Sequence, residues 1–185
     1  MGGALAPSPA HERRAETVTE LTMELRRVVH AGSPLSSESE SHLRERCIQT
    51  AMKSIASHGG LLRLAGTGEH PVIEARFVGP DASESAARAA KLAGNSVRKA
   101  AGNEFVAAAA AAAGTVMEGS MGVRVVFGAP EAISSRLREN AAPGQILLGG
   151  ASWSDSADVE VRSAQSLVPA PDAEPVPVFV LHDLR

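Results

Sequence analysis

Arg63 lies in the middle of Leu61-Leu62-Arg63-Leu64-Ala65, an otherwise apolar run. Unpaired charge is expensive inside a sheet. This guanidinium must therefore face outward from its strand or meet an anionic partner. A guanidinium grips carboxylate or phosphate through a rigid fork of donors, so phosphate binding is the chemistry such a residue can support. Arg136, in Ser134-Ser135-Arg136-Leu137-Arg138, has the same capacity. On an amphipathic helix it is equally at home as a solvated or ion-paired side chain. Other groups converge less. Glu69-His70 and Glu74 lie close along one expected hairpin, but turn residues are more often solvated than ligating. The six histidines (His11, His30, His42, His58, His70, His182) are scattered without metal-ligand spacing. The single cysteine, Cys47, excludes an intramolecular disulfide and a cysteine metal cluster, and it fits a small core residue of a helix. There is no nucleophile elbow, Walker lysine loop or dinucleotide fingerprint.

The elements that must position these residues follow from the hydrophobic pattern. Residues 1–15 are rich in Gly, Ala, Pro and Ser and read as a disordered tail, which leaves 16–185 as one domain. Thr17 to Val29 fits both a strand, with Thr19, Leu21, Met23 and Leu25 alternating, and one face of a helix. Ser41 to Ser57 is helical by the spacing of Leu43, Cys47, Ile48, Ala51, Met52 and Ile55, and His58-Gly59-Gly60 ends it. Leu61–Ala65 and Val72–Val78 form a hairpin about the turn Gly66-Thr67-Gly68. Ser83 to Ala101 is a second helix. The alanine run Ala107 to Ala113 favours helix by propensity, yet it follows directly on a terminated helix and leads into Gly114-Thr115-Val116. A central strand, with small side chains that let helices pack close, is the expectation. Val123–Phe127 is a strand, Ala129–Glu139 a helix with Pro130 in its first turn, and Ile146–Leu148 a strand. Val159–Arg162 and Val176–Leu181 form a late pair. The order predicts an α+β fold, a ferredoxin-like βαββαβ core with a C-terminal β-α-β-β extension.

Composition bounds the function. The chain has 185 residues, 44% hydrophobic and 3% aromatic, with no Tyr and one Trp. That is enough for a core, but it offers almost no stacking platform for single-stranded nucleic acid. A net charge of -3 gives no nucleic-acid footprint. No apolar run suits a membrane span, and the N-terminus lacks the pattern of a secretory signal. The expectation is a soluble, cytoplasmic protein that binds neither nucleic acid nor membrane. The alanine-rich composition fits a GC-rich bacterial genome.

Five segments occur in an order that resembles the class III adenylate/guanylate cyclase catalytic domain over about Thr17 to Leu184. Gly128-Ala129-Pro130-Glu131-Ala132-Ile133-Ser134-Ser135-Arg136-Leu137, followed by Pro143-Gly144-Gln145-Ile146, is similar to that family's G-D-T-V-N-x-A-S-R-L and P-G-x-I. His58 to Gly68 resembles its H-G-G-x-x-x-K-x-x-G-D-x hairpin, and Asp81 to Ala90 its D-A-x-x-A-x-x-A helix start. Gly114 to Gly119 is similar to T-G-x-V-x-x-G, and Val176 to Leu181 to the closing P-V-x-V-Y-x-L strand.

The resemblance implies a two-metal phosphoryl-transfer site held by two carboxylates. The first falls on Glu24, which favours the strand reading of residues 17–29. The second falls on Thr67, a neutral residue and a poor ligand. A lone carboxylate is a weak hold on Mg²⁺, which wants near-octahedral oxygen ligation, and Glu24 can equally be a solvated charge. The base-reading Lys and Asp of the family fall near Arg63 and Val125, its ribose-orienting Asn on Ala132, and its transition-state Arg on Arg136. A late phosphate-binding Lys would lie near Ala170-Pro171, but no Lys follows Lys99. The implied protein is a degenerate cyclase-homology domain, leaning away from catalysis. It would need no cofactor, with Mg or Mn required only if active. Members pair head to tail, so a homodimer, or a heterodimer with another such domain, is the implied assembly. The alternatives are a nucleotide or small-ligand sensor using the remnant pocket, and an active cyclase or one half of a heterodimeric one.

Overall fold

A computed structural model describes residues 15–28, 35–65, 71–102, 104–118, 124–150, 153, 158–169, 171 and 173–184. The first strand, β1 (Glu16–Arg27), is followed by α1 (Ser37–Ser57), β2 (Leu61–Ala65), β3 (Val72–Val78), α2 (Ala82–Ala101) and β4 (Phe105–Glu118). Then come β5 (Arg124–Phe127), α3 (Pro130–Asn140), β6 (Ile146–Gly149), β7 (Val159–Ser163) and β8 (Val178–Leu184). One sheet runs β2-β3-β1-β4-β6-β8-β7, and β5 pairs with β4. The first four strands have the ferredoxin-like arrangement, and β4 and β6 are parallel. The fold is α+β, as the pattern predicts. Counting β5, the extension reads β-α-β-β-β, and each of its five elements is one the hydrophobic pattern predicts between Val123 and Leu181.

Residues 16–27 form a strand in which apolar and polar residues alternate from Leu21 to Arg26. Leu21, Met23 and Leu25 enter the core shared with α1 and α2. Glu20, Thr22, Glu24 and Arg26 face the side covered by α3, where Thr22 and Arg26 reach its backbone carbonyls. The alanine run is the centre of β4, hydrogen-bonded to β1 on one side and β6 on the other. Ala109 and Ala111 join the α1/α2 core, whereas Ala108, Ala110 and Ala112 join Ile133 and Leu137 of α3. Intrinsic helix propensity is worth only tenths of a kcal/mol per residue, and this two-sided burial overrides it. Small side chains bring the layers close. A Cβ on Gly149 of β6 would stand 2.8 Å from Leu137 Cδ1.

Boundaries shifted where capping decided them. The helix expected from Ser41 begins at Ser37, because the Ser36 hydroxyl accepts a hydrogen bond from the Ser39 N–H. Glu38 and Glu40 then complement the positive end of the dipole in the first turn. The last strand starts at Val178 rather than Val176, because Val176 is spent on an isolated bridge to Leu167. The expected tail lies outside the described residues except for Ala15.

Candidate functional site

The α3-side face of β1, β2 and β3 carries a lattice of charge that register alone sets up. Arg63 of β2 is opposite Glu74 of β3, which is opposite Thr22 of β1. One row over, Leu61 is opposite Arg76, which is opposite Glu20. Alternate residues of a strand share a face, so these rows place glutamates and arginines side by side. Arg63 Nε donates to Glu74 Oε2 at 2.6 Å, and its Nη2 donates to Glu131 Oε1, at the start of α3, at 2.8 Å. Arg76 donates to Glu20. Together they line an open cleft of about 310 Å³.

Glu24 lies in the next row of β1, opposite Val72 of β3 and Ala108 of β4. Its carboxylate is clasped by Arg26, at 3.1 Å, and by Arg138 of α3, at 2.9 Å. These three side chains are only 13% to 24% exposed. Arg26 also donates to the Arg138 and Ala141 carbonyls. It thereby satisfies the open carbonyls at the C-terminus of α3 with a cation, the sign the helix dipole favours there.

Among the described residues this face thus carries Glu20, Glu24, Glu74 and Glu131 against Arg26, Arg63, Arg76 and Arg138, and every arginine has a carboxylate partner. The face is neutral by its own pairing. Burial pushes the Glu20 carboxyl above its ordinary value of 4.5, an effect that the hydrogen bond and charge of Arg76 offset only in part. The Arg63 guanidinium is pushed further up by its bond to Glu74.

The residues singled out in the sequence divide between two places. Glu24 and Arg63 share the β-sheet face described above. Arg136 does not reach it. With 3.6 residues per turn, Arg136 and Arg138 are about 200° apart round α3. Arg138 points at Glu24, whereas Arg136 is exposed and its side chain has no partner among the described residues. Ala132 is exposed on α3, and Val125 pairs with Met117 in the β4–β5 hairpin. Thr67 lies outside the described residues. Arg26, Arg138, Glu20 and Arg76 were not singled out. The signal for Arg138 was present in the spacing Arg136-Leu137-Arg138, because only one of two such arginines can share a flank with Glu131.

A divalent metal needs several oxygen ligands at once. Among the described residues no three His, Cys, Asp or Glu side chains converge to hold one, and Glu24 is already engaged by two guanidiniums. The described residues do not fit a two-metal centre.

Solved structures of nucleotidyl cyclase catalytic domains share this fold. The adenylyl cyclase CyaB from P. aeruginosa is similar at a TM-score of 0.64 and 18% identity, covering 94% of this chain and 97% of that one. The guanylate cyclase domain of RhGC from Catenaria anguillulae, in complex with GTP, is similar at 0.69 and 12%, covering 93% and 100%. The dimeric guanylyl cyclase domain of the RhoGC fusion protein from Blastocladiella emersonii matches at 0.69 and 12%, covering 93% and 99%. No protein-family model matches the sequence, and no curated protein matches it. The chain has the fold of a class III cyclase-homology domain along nearly its whole length. At these identities the likeness is one of fold.

Proposed function

We propose that this cyclase-fold domain forms no cyclic nucleotide by itself and works as a dimerising regulatory or interaction module, acting in the cytoplasm. The observation that carries the reading is the self-neutralised face. Where the family resemblance calls for a metal carboxylate and a base-reading cation, Glu24 is held by Arg26 and Arg138. Arg63 is held by Glu74 and Glu131. A nucleotide would have to break these pairs before using either residue. Of the arginines the resemblance singles out, only Arg136, away from this face, is left unengaged among the described residues.

The surface supports pairing. Met117, Val126 and Phe127, on the β4–β5 hairpin, are 36%, 36% and 51% exposed, and Leu61 and Leu64 on β2 are 68% and 48% exposed. Exposed apolar side chains of this kind, on the hairpin and on the edge strand β2, are what interaction sites use. The Blastocladiella emersonii domain has been crystallised as a non-canonical dimer and as a monomer. The partner would be a second copy or another cyclase-fold domain. Light scattering on the chain and on Phe127→Glu tests this. A dimer that the variant converts to monomer supports the reading, and a wild-type monomer at every concentration with no cyclase-fold partner contradicts it.

The cleft supports a second reading, a nucleotide or small-ligand sensor without chemistry, because about 310 Å³ lies open beside Arg63 and Arg76. A rise in melting temperature with ATP or GTP, lost in Arg63→Ala, would favour it.

A further inference from the structure

On the opposite face of the sheet, α2 carries a group of cationic and amide side chains. Lys91, Asn95 and Arg98 are spaced four and three residues apart along one flank of α2, so their side chains project together. They line a small cavity whose floor is Gly94 and Ala107 and whose rim includes Gly144, at the turn entering β6. Its volume is about 70 Å³, room for roughly two waters at about 30 Å³ each and so for one small tetrahedral oxyanion. Among the described residues no carboxylate lines it. Lys91 Nζ donates to the His182 carbonyl at 2.6 Å and lies 3.5 Å from Asp183 Oδ1, which leaves one of its three donors for a ligand. Neither Arg98 nor Asn95 has a side-chain partner among the described residues. The guanidinium is poised at the rim, with its Nη2 3.9 Å from the point where a Cβ on Gly144 would sit, and Gly144 itself has φ +79.

Gly94 is the second observation. It lies in the interior of α2, where glycine weakens a helix relative to alanine. Packing does not demand it, because a Cβ there would meet only Ala107 Cβ, at an ordinary 3.9 Å. What the missing methyl provides is the hollow between α2 and β4.

We propose that this cavity is a binding site for a small oxyanion, inorganic phosphate or the terminal phosphate of a monoester. The Arg98 fork and the Asn95 amide would donate to its oxygens, and Lys91 would supply further charge. The site lies across the sheet from the self-paired cleft, so it would act independently of any nucleotide there.

The test is an amide NMR titration of the full chain with sodium phosphate, with glycerol 3-phosphate, and with sodium chloride at matched ionic strength. The expected result is saturable shifts in the millimolar range at Gly94, at Gly144 and at the Asn95 side chain. These should weaken at least tenfold in Arg98→Ala and in Asn95→Leu, with both variants' melting curves confirming an intact fold. Saturation by phosphate alone would identify a free-anion site, and saturation by both would identify a phosphomonoester site. Shifts that grow linearly, that sodium chloride reproduces, or that survive in Arg98→Ala with unchanged affinity would overturn the proposal.

Discussion

Replacing Glu24 by glutamine separates a structural carboxylate from a metal-binding one. In the parent, Glu24 stands between Arg26 and Arg138, which are 24% and 15% exposed. Removing one partner of a buried ion pair costs about 3–5 kcal/mol, because the remaining charge stays desolvated. Partial solvent access lowers that here to roughly 2–3 kcal/mol. Arg138 Nε is already buried without a partner, and the remaining carboxylate near Arg138, that of exposed Glu139 at 3.5 Å from Nη2, compensates only weakly. For a chain of this size that loss lowers the melting temperature by roughly 4–12 °C. Trp153, 1% exposed and bonded to the Gly149 carbonyl of β6, reports unfolding by fluorescence, and circular dichroism at the helix band checks it. The double variant Glu24→Leu/Arg138→Met should recover part of the loss, because it removes one of the two stranded guanidiniums while Arg26 keeps its bonds to the Arg138 and Ala141 carbonyls. A Glu24→Gln variant within about 0.5 kcal/mol of the parent, an ordinary surface effect, would refute the clasp. So would a parent that Mn²⁺ stabilises while the variant is left unaffected.

Other consequences are equally direct. Glu20 binds its proton more tightly folded than unfolded, so its contribution to stability is fully present below pH 4.5 and is lost as pH rises through its raised folded value. Glu20→Gln, which keeps an acceptor for Arg76, should therefore gain on the parent between pH 4.5 and 7. Urea midpoints across that range would refute this if the difference stayed constant or shrank. Ala110 is fully buried beneath Ile133 and Leu137, and Ala110→Leu should destabilise by about 3 kcal/mol through overpacking. A melt unchanged from wild type would mean that α3 does not seat closely on β4. Ser36→Ala should lose about 1 kcal/mol with its N-cap bond, read as earlier exchange of the amides in the first turn of α1.

The alternation in β1 and the helical spacing in α1 and α2 were legible because they are local. The alanine run was legible only through its neighbours. Alanine favours helix alone, and only its position after a terminated helix, before Gly114-Thr115-Val116, pointed to a strand. The pairing at the site was not legible. Arg138 is 114 residues from Glu24, and Glu131 is 68 from Arg63; no local pattern encodes such contacts. Register supplies them. Once β1, β2 and β3 are aligned, the Arg63–Glu74 and Arg76–Glu20 pairs follow from which residues face α3. Arg136 is legible only through the family motif, and the place of Arg138 only through the geometry of α3. The helical period shows that the second arginine is the one on the flank facing β1.

The central claim is that the domain, taken alone, makes no cyclic nucleotide. Incubating the purified chain with ATP or GTP and Mg²⁺ or Mn²⁺, and quantifying cyclic product by mass spectrometry, tests it most directly. The account predicts no product above that of a heat-denatured control. Metal-dependent cyclic AMP or cyclic GMP, abolished by Arg136→Ala, would contradict it.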